Sequence, residues 1–208
     1  ESELGYLNSE IRNQIREAYD VDGVIQSMWN TLNSRGGVLG RTTWIFASDS
    51  GVFYEEQRSM AGQSISVSQK GDCYDCVTRT PSFIMGPGIP AGRTTLPMTL
   101  QDITPTILNI LGGTATVTLR GTDIRTLISS PPADRDTLYE CKDTAMPWNA
   151  TGIVTKDRKL VEYSGKTGND QYEMYLLDSD PNEYTNVANN PTYLTERNAL
   201  KARLDAIP

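Results

Sequence analysis

Apolar side chains in the first 35 residues recur every three or four positions, which is the period of an amphipathic helix. The spacing predicts a helix from about residue 9 to 35, with Asn8 or Ser9 as its cap and Gly36 as its stop. We expect this helix to bury one face. Its apolar positions are Ile11, Ile15, Tyr19, Val24, Ile25, Met28, Trp29 and Leu32.

The next stretches indicate a sheet with helices around it. RTTWIFAS (41–48) is a nearly continuous apolar and β-branched run, typical of a strand covered on both faces. A long polar loop follows, from about Gly51 to Asp75, and loops of that length are usually functional or disordered. PSFIMGPGIPAG (81–92) predicts a second short strand, and QDITPTILNILGG (101–113) a helix. This alternation of helix and strand predicts an α/β fold.

The pattern changes at the turn-rich segment Ser129–Asp136. Beyond it, DTLYEC, GIVTKDRKLVEYS and QYEMYLLD read as antiparallel strands, the second as a hairpin around Lys156–Arg158. A last helix is expected from about Tyr193 to Ile207. We therefore predict two domains: an α/β portion over 1–128 and a small antiparallel β-sheet with a terminal helix over 129–208.

Charge and hydropathy exclude two classes of partner. The net charge is −7 and the 19 basic residues are scattered, whereas nucleic-acid binding needs clustered Lys and Arg. No run approaches the roughly 18 apolar residues that span a bilayer. We expect neither a nucleic-acid partner nor a membrane span.

The chain has no histidine and three cysteines, which restricts its chemistry. Without histidine, Ser-His-Asp and Cys-His catalysis and His-based metal sites are excluded within this chain. Cys73-x-x-Cys76 lacks the second pair that a zinc site needs, so we expect a local disulfide or two buried thiols there.

Asp49 and Ser50 stand where the first strand ends. In α/β sheets this edge opens into a crevice that binds ligands. The residues alone leave two readings equally open, a ligand-contacting pair or a turn that leads into Gly51. Lys70, in the polar loop, taken alone is a solvated side chain.

The order of these pieces resembles the C-terminal half of sulfatases in the alkaline-phosphatase superfamily, over almost the whole chain. The matching pieces are S-D-S-G (48–51), K-G-D-C-Y-D leading into R-T-P and G-P-G-I-P (70–90), D-I-T-P-T-I-L (102–108), L-R-G-T-D-I-R-T-L-I (119–128) and L-L-D-S-D-P-N-E-Y-T-N (176–186). The resemblance implies a partial alkaline-phosphatase-like sheet flanked by helices, followed by the small β+α subdomain.

The resemblance also implies roles for single residues. Asp49 matches a ligand of a divalent cation, usually Ca²⁺, and Ser50 stands where Asn or His normally faces that metal. Lys70 matches the catalytic lysine that binds sulfate and stabilises the leaving oxygen. Arg79 is a second candidate for the anion, or a brace for the loop that carries Lys70.

Two further features depart from the family pattern, in addition to Ser50. Gln57 stands where related sequences often have a histidine, and glutamine cannot transfer a proton near neutral pH. The C/S-x-P-x-R sequence that is converted to the formylglycine nucleophile has no counterpart here and is expected only in an N-terminal half.

We therefore expect a sulfatase-like hydrolase of sulfate esters, present as a fragment that is inactive alone. The alternatives are a noncatalytic pseudosulfatase or assembly subunit, and a phosphatase or phosphonate-ester hydrolase of the same superfamily. The implied substrate is a sulfated small molecule or glycan, and the implied compartment is extracellular, periplasmic or lysosomal. The exposed flank of the sheet is a surface for self-association.

Overall fold

A computed structural model describes residues 3–51, 73–142, 149–168 and 171–207. The chain packs as two compact units. One comprises Glu1–Phe46 with Ser82–Ala91, and the other comprises Ala47–Pro81 with Gly92–Pro208. The division predicted at residue 129 stays a prediction. Within the described part of the chain, no helix has the length and apolar character to cross a membrane.

The first helix, α1, runs over Glu3–Asn33, which confirms the predicted helix. The predicted start is wrong: Asn8 and Ser9 lie within the helix and do not cap it. The expected burial of one face is wrong for most of its length: Ile15 is 65% and Tyr19 78% exposed. Ile25, Trp29 and Leu32, near its C-terminal end, are half-buried. The periodicity predicted the helix, but burial also needs a packed neighbour, and among the described residues most of this apolar stripe has none.

Two strands, β1 (Trp44–Ala47) and β2 (Ser82–Met85), form a small sheet after the 3₁₀ turn Leu39–Arg41. The rings of Phe46 and Phe83 stack with centroids 5.1 Å apart. The expectation that β1 is covered on both faces is not met, since all four of its residues are half-buried. Among the described strands β2 is its one neighbour, and two strands cannot enclose each other.

The second unit is built on a four-stranded antiparallel sheet, as the sequence predicted. Its strands are β3 (Thr137–Lys142), β4 (Asn149–Val154), β5 (Arg158–Ser164) and β6 (Tyr172–Leu176), hydrogen-bonded in that order. The register pairs Tyr139 with Gly152 and Ile153 with Leu160. The predicted hairpin around Lys156–Arg158 is the β4–β5 turn.

Both faces of this sheet are covered. On one face, the terminal helix α5 (Leu194–Asp205), preceded by the 3₁₀ turn Pro191–Tyr193, contributes to the main core. That core contains Ile153, Leu160, Met174, Val187, Ala188, Leu200 and Leu204. On the other face, Cys73, just before the short helix α2 (Asp75–Thr78), packs with Cys141, Ala150, Val161 and Tyr163. The alternation of β-strand side chains thus separates two cores.

Between β2 and β3 lie a 3₁₀ turn (Leu100–Asp102) that leads into α3 (Ile103–Ile110), and then α4 (Ile124–Ser129). Asp102 is fully buried and connects these pieces. Its carboxylate accepts hydrogen bonds from the Thr99 and Thr122 amides, each at 2.8 Å. It also accepts a bidentate pair of hydrogen bonds from the Arg135 guanidinium, both at 2.7 Å. These bonds join residues on both sides of position 129.

Candidate functional site

The turn that follows β1 presents two oxygen donors. Ser50 Oγ donates a hydrogen bond to Asp49 Oδ1 at 3.2 Å, and Ser48 Oγ donates to the Ser50 carbonyl at 3.0 Å. Asp49 is exposed. A carboxylate beside a hydroxyl suits a hard cation such as Ca²⁺, which takes six to eight oxygen ligands. The two residues therefore fit part of a cation site, and among the described residues no three His, Cys, Asp or Glu side chains complete one.

This turn is held against the segment around α2. The Gly51 amide donates to the Val77 carbonyl at 2.8 Å, and Thr80 Oγ1 donates to the Ser48 carbonyl at 3.0 Å. A Cβ on Gly51 would overlap the Cys76 carbonyl oxygen, so the close approach requires glycine at this position. The tertiary structure thus brings the Asp49 turn to the segment that contains Arg79.

Arg79 directly follows α2 and is its C-cap residue. Its guanidinium lies 3.8 Å from Asp75 Oδ2, and its side chain is 73% exposed. Because this ion pair is weak and solvated, the Arg79 guanidinium stays accessible to an anionic ligand. The predicted catalytic residue Lys70 and the variant position Gln57 lie outside the described residues, and their roles stay predictions.

A buried ion cluster, which the sequence reasoning missed, lies beneath α2. Lys159 Nζ, fully buried on β5, is 2.9 Å from Asp75 Oδ1 and 2.6 Å from Glu183 Oε1. Glu183 Oε2 accepts a hydrogen bond from the Asp75 amide at 2.7 Å. We call Asp75, Lys159 and Glu183 the Lys159 clamp. Lys159 is in phase with Val161 and Tyr163, and a lysine on the buried phase of a strand was the available signal.

The surroundings of the clamp shift the pKa of two groups. Burial raises the pKa of Glu183 to about 7, since the opposing pull of Lys159 only partly offsets the loss of water and Asp75 adds repulsion. Tyr139 lies with its ring centroid 5.3 Å from Lys159 Nζ, and its hydroxyl is buried without a hydrogen-bond partner among the described residues. Burial and then the Glu183 and Asp75 charges raise the pKa of Tyr139.

The cysteines pair differently from the prediction. Cys73 forms a disulfide with Cys141 on β3, and Cys76 is outside it. The expectation of a local Cys73–Cys76 pair, or of buried thiols, is therefore wrong for Cys73. Sequence proximity favoured the local pair, but Cys73 lies against the sheet and Cys76 faces the Asp49 turn through its carbonyl. The disulfide fixes the chain immediately before α2.

The acidic block near the C-terminus, L-L-D-S-D-P-N-E-Y-T-N (176–186), consists mostly of turn formers. Asp180 accepts hydrogen bonds from the Tyr184 and Thr185 amides, and Asn186 accepts from the Met174 and Ala188 amides. Glu183 is the exception: it has φ of +59°, in the left-handed region, and points its carboxylate into the clamp. The turn therefore presents a carboxylate to the sheet.

A cavity of about 350 Å³ lies beside α5 and the β4–β5 turn. Its two arginines are already engaged: Arg158 pairs with Glu196 and Asp178, and Arg203 pairs with Asp134 and Asp136. Their charge is neutralised within the protein. This cavity is a weaker candidate for an anionic ligand than the Asp49 turn.

Comparison with solved structures defines the class of protein. The chain superposes on a protein solved with its substrate D-glucosamine-2-N,6-O-disulfate with a TM-score of 0.72 at 24% identity, over 90% of this chain and 38% of that one. It superposes on the phosphonate monoester hydrolase of Agrobacterium radiobacter with a TM-score of 0.71 at 25% identity, over 90% and 39%. The fold is that of the sulfatases of the alkaline-phosphatase superfamily, as the sequence predicted.

Sequence comparison narrows the class to a family. The model for N-sulphoglucosamine sulphohydrolase, C-terminal, matches residues 68–208, and the chain belongs to this family. Arylsulfatase K of Danio rerio is 32% identical over 130 residues, which cover 60% of this chain and 23% of that protein. The chain spans about a quarter to a third of the length of the curated relatives it matches.

Proposed function

We propose that this chain is the C-terminal part of a sulfatase and contributes part of a site that hydrolyses sulfate esters. The observation that carries the proposal is the S-D-S-G turn of a sulfatase-family chain, tied by the Gly51–Val77 hydrogen bond to the segment that contains Arg79. In this proposal Asp49 and Ser50 hold a divalent cation, with Ca²⁺ as the expected ion. Lys70 and Arg79 bind the sulfate.

The chemistry of each residue fits its role. Asp49 offers a solvated carboxylate, and Ser50 a neutral oxygen directed at the same place. A bound Ca²⁺ would supply positive charge against the sulfate oxygens and the nucleophile. Lys70 would stabilise the charge that develops on the leaving oxygen, a contribution of roughly 3 kcal/mol when one such donor is lost in other enzymes. The formylglycine nucleophile is expected from the N-terminal half.

Calcium binding tests the proposed metal role and needs no activity assay. We expect calcium to raise the unfolding temperature of the full-length protein, because a ligand that binds only the folded state stabilises it by RT ln(1 + [L]/Kd). Asp49→Ala should abolish this shift. Asp157→Ala removes an exposed carboxylate from the β4–β5 turn and should leave it intact. No shift in the wild type at millimolar calcium, or equal shifts in both variants, would contradict the metal role.

The isolated chain is proposed to have no turnover, because the nucleophile and the other metal ligands are expected elsewhere. The reading frame upstream of Glu1 distinguishes two cases. A C/S-x-P-x-R sequence with paired aspartates would support a sulfatase whose back half is this chain. A start codon directly upstream would favour the noncatalytic pseudosulfatase or assembly subunit.

A phosphonate or phosphate ester hydrolase is the second candidate. The superposition on the phosphonate monoester hydrolase favours it, and a metal-held Asp49 with Lys70 would serve either anion. Turnover by the full-length protein, compared between 4-nitrophenyl sulfate and a phenylphosphonate monoester, separates the two. We expect the sulfate to be hydrolysed with the higher kcat/KM.

The proposed substrate is a sulfated small molecule or glycan. It is supported by the structural neighbour that was solved with a disulfated glucosamine. The proposed compartment is extracellular, periplasmic or lysosomal. The Cys73–Cys141 disulfide supports it, since structural disulfides persist in oxidising compartments.

A further inference from the structure

The segment 73–81 lacks the means to hold its own conformation. Helix α2 has four residues, which is too short to be stable without tertiary contacts. Yet this segment contains Arg79 and forms the hydrogen bonds that place the Asp49 turn, one accepted by the Val77 carbonyl and one donated by Thr80 Oγ1. Its position must therefore come from contacts outside it.

The Cys73–Cys141 disulfide anchors the start of the segment, and the Lys159 clamp supplies the polar contacts to α2 itself. Asp75, the first residue of α2, is held twice: its amide by Glu183 at 2.7 Å and its carboxylate by Lys159 at 2.9 Å. Both partners are fully buried. Lys159 lies on β5, and Glu183 is fixed by a turn in which Asp180 accepts two amide hydrogen bonds. The clamp thus ties α2 to the antiparallel sheet at two points.

A buried ion cluster is a costly way to stabilise a fold. Removing three charges from water carries a desolvation penalty that apolar residues of similar volume avoid, so such clusters are weak contributors to stability. In some proteins, buried polar groups instead select one defined geometry. Two members also come from separate sequence pieces, Asp75 from K-G-D-C-Y-D and Glu183 from D-P-N-E. The two pieces meet directly, through the Asp75 amide and the Glu183 carboxylate, and also through Lys159.

We propose that Lys159 and Glu183 are positioning residues for the sulfatase site, acting through Asp75 on the segment that contains Arg79 and on the Asp49 turn hydrogen-bonded to it. The inference rests on the proposed function. The path runs from the sheet to Asp75, along α2 to Val77 and Thr80, and from their hydrogen bonds to Gly51 and Ser48.

Hydrogen exchange of the full-length protein tests the positioning directly. In Lys159→Met and in the milder Glu183→Gln, the amides of Asp75, Val77, Arg79 and Gly51 should exchange on the order of 100-fold faster, because a broken buried ion pair is expensive. Amides of the β4–β5 ladder should keep their rates. Arg158→Met is the matched control: it removes the neighbouring residue of β5 and its ion pairs with Glu196 and Asp178, and should leave α2 protected.

Kinetics on an aryl sulfate ester complete the test. Lys159→Met and Glu183→Gln should lower kcat by roughly 10- to 100-fold, the usual effect of losing an orienting partner, and Arg158→Met should not. Unchanged exchange at α2, faster exchange spread evenly over β3–β6, or an unchanged kcat would overturn the proposal. A wild type without turnover would refute the proposed function instead, and the exchange rates would still show whether the clamp holds α2.

Discussion

Among the described residues, the charged side chains of Asp102, Lys159 and Glu183 are fully buried, and each forms an ion pair. The Asp102 carboxylate accepts five hydrogen bonds, two of them from the Arg135 guanidinium. Burial raises the pKa of Asp102, but the Arg135 and backbone hydrogen bonds outweigh it and hold the pKa below its ordinary range. The ionised form is therefore the one that the fold stabilises.

This lowered pKa gives a stability that depends on pH with a defined sign. The contribution of Asp102 is fully present above its unfolded-state pKa of about 3.9 and is lost as pH falls through the lower folded pKa. Asp102→Asn should cost about 3 to 5 kcal/mol at pH 7, because it leaves Arg135 without its counter-charge, and less near pH 2. Denaturant unfolding of both proteins from pH 7 to pH 2 measures the difference.

The exposed pair of Arg203 with Asp136 provides the comparison for that experiment. Asp136→Asn should cost about 1 kcal/mol or less at pH 7, as surface ion pairs do. A penalty for Asp102→Asn that stays constant down to pH 2 would show that its charge does not matter.

At the scale of elements, close approach between neighbouring strands and turns depends on glycines, among them Gly51 and Gly152. Gly51 lets the turn after β1 reach α2. Gly152 on β4 faces Tyr139 on β3, and a Cβ at this position would overlap the phenol ring. Tyr139 in turn lies over Lys159, so the packing of two strands and the position of the clamp are connected.

Gly152→Ala should destabilise the sheet by about 1 to 3 kcal/mol, as overpacking in a filled site does. Gly92→Ala is the matched control, since a Cβ there meets nothing within 4 Å. Chemical denaturation of the two variants measures the effect. Equal stabilities of the two variants would mean that Tyr139 moves aside at no cost in free energy. That result would contradict the inference that strand packing and the position of the clamp are connected.

At the scale of the whole molecule, apolar surface is distributed unevenly between the two units. The second unit encloses two cores around its sheet, and the disulfide joins residues 68 positions apart in sequence. Closing a loop of that size stabilises a fold by about 4 kcal/mol on chain-entropy grounds. In the first unit, apolar residues of α1 and β2 stay exposed, among them Ile15, Tyr19 and Phe83.

This exposure predicts that the isolated chain self-associates, because exposed apolar patches on two copies can bury each other. Ile15→Glu should lower the associated fraction, measured by light scattering across concentrations. Asn13→Glu adds the same charge to α1 at a polar position and should change it little. A chain that stays monomeric at all concentrations would refute the prediction.

Local sequence patterns were enough to predict most of the helices and strands. The period of α1, the apolar runs of β1 and β2, and the alternation in β3–β6 are consequences of backbone geometry, which the sequence displays directly. The order of short sequence motifs was enough to predict the family, and the family match over residues 68–208 confirms it. Asp49 and Ser50 could likewise be placed at a strand end.

Contacts between distant residues were decided only by the tertiary structure. No local pattern indicates that Cys73 pairs with Cys141 rather than Cys76, or that Lys159 lies between Asp75 and Glu183. The exposure of α1 depends on which neighbours are present, and periodicity does not reveal them. Side-chain patterns report the local backbone, whereas pairing and burial depend on which segments the folded chain brings together in space.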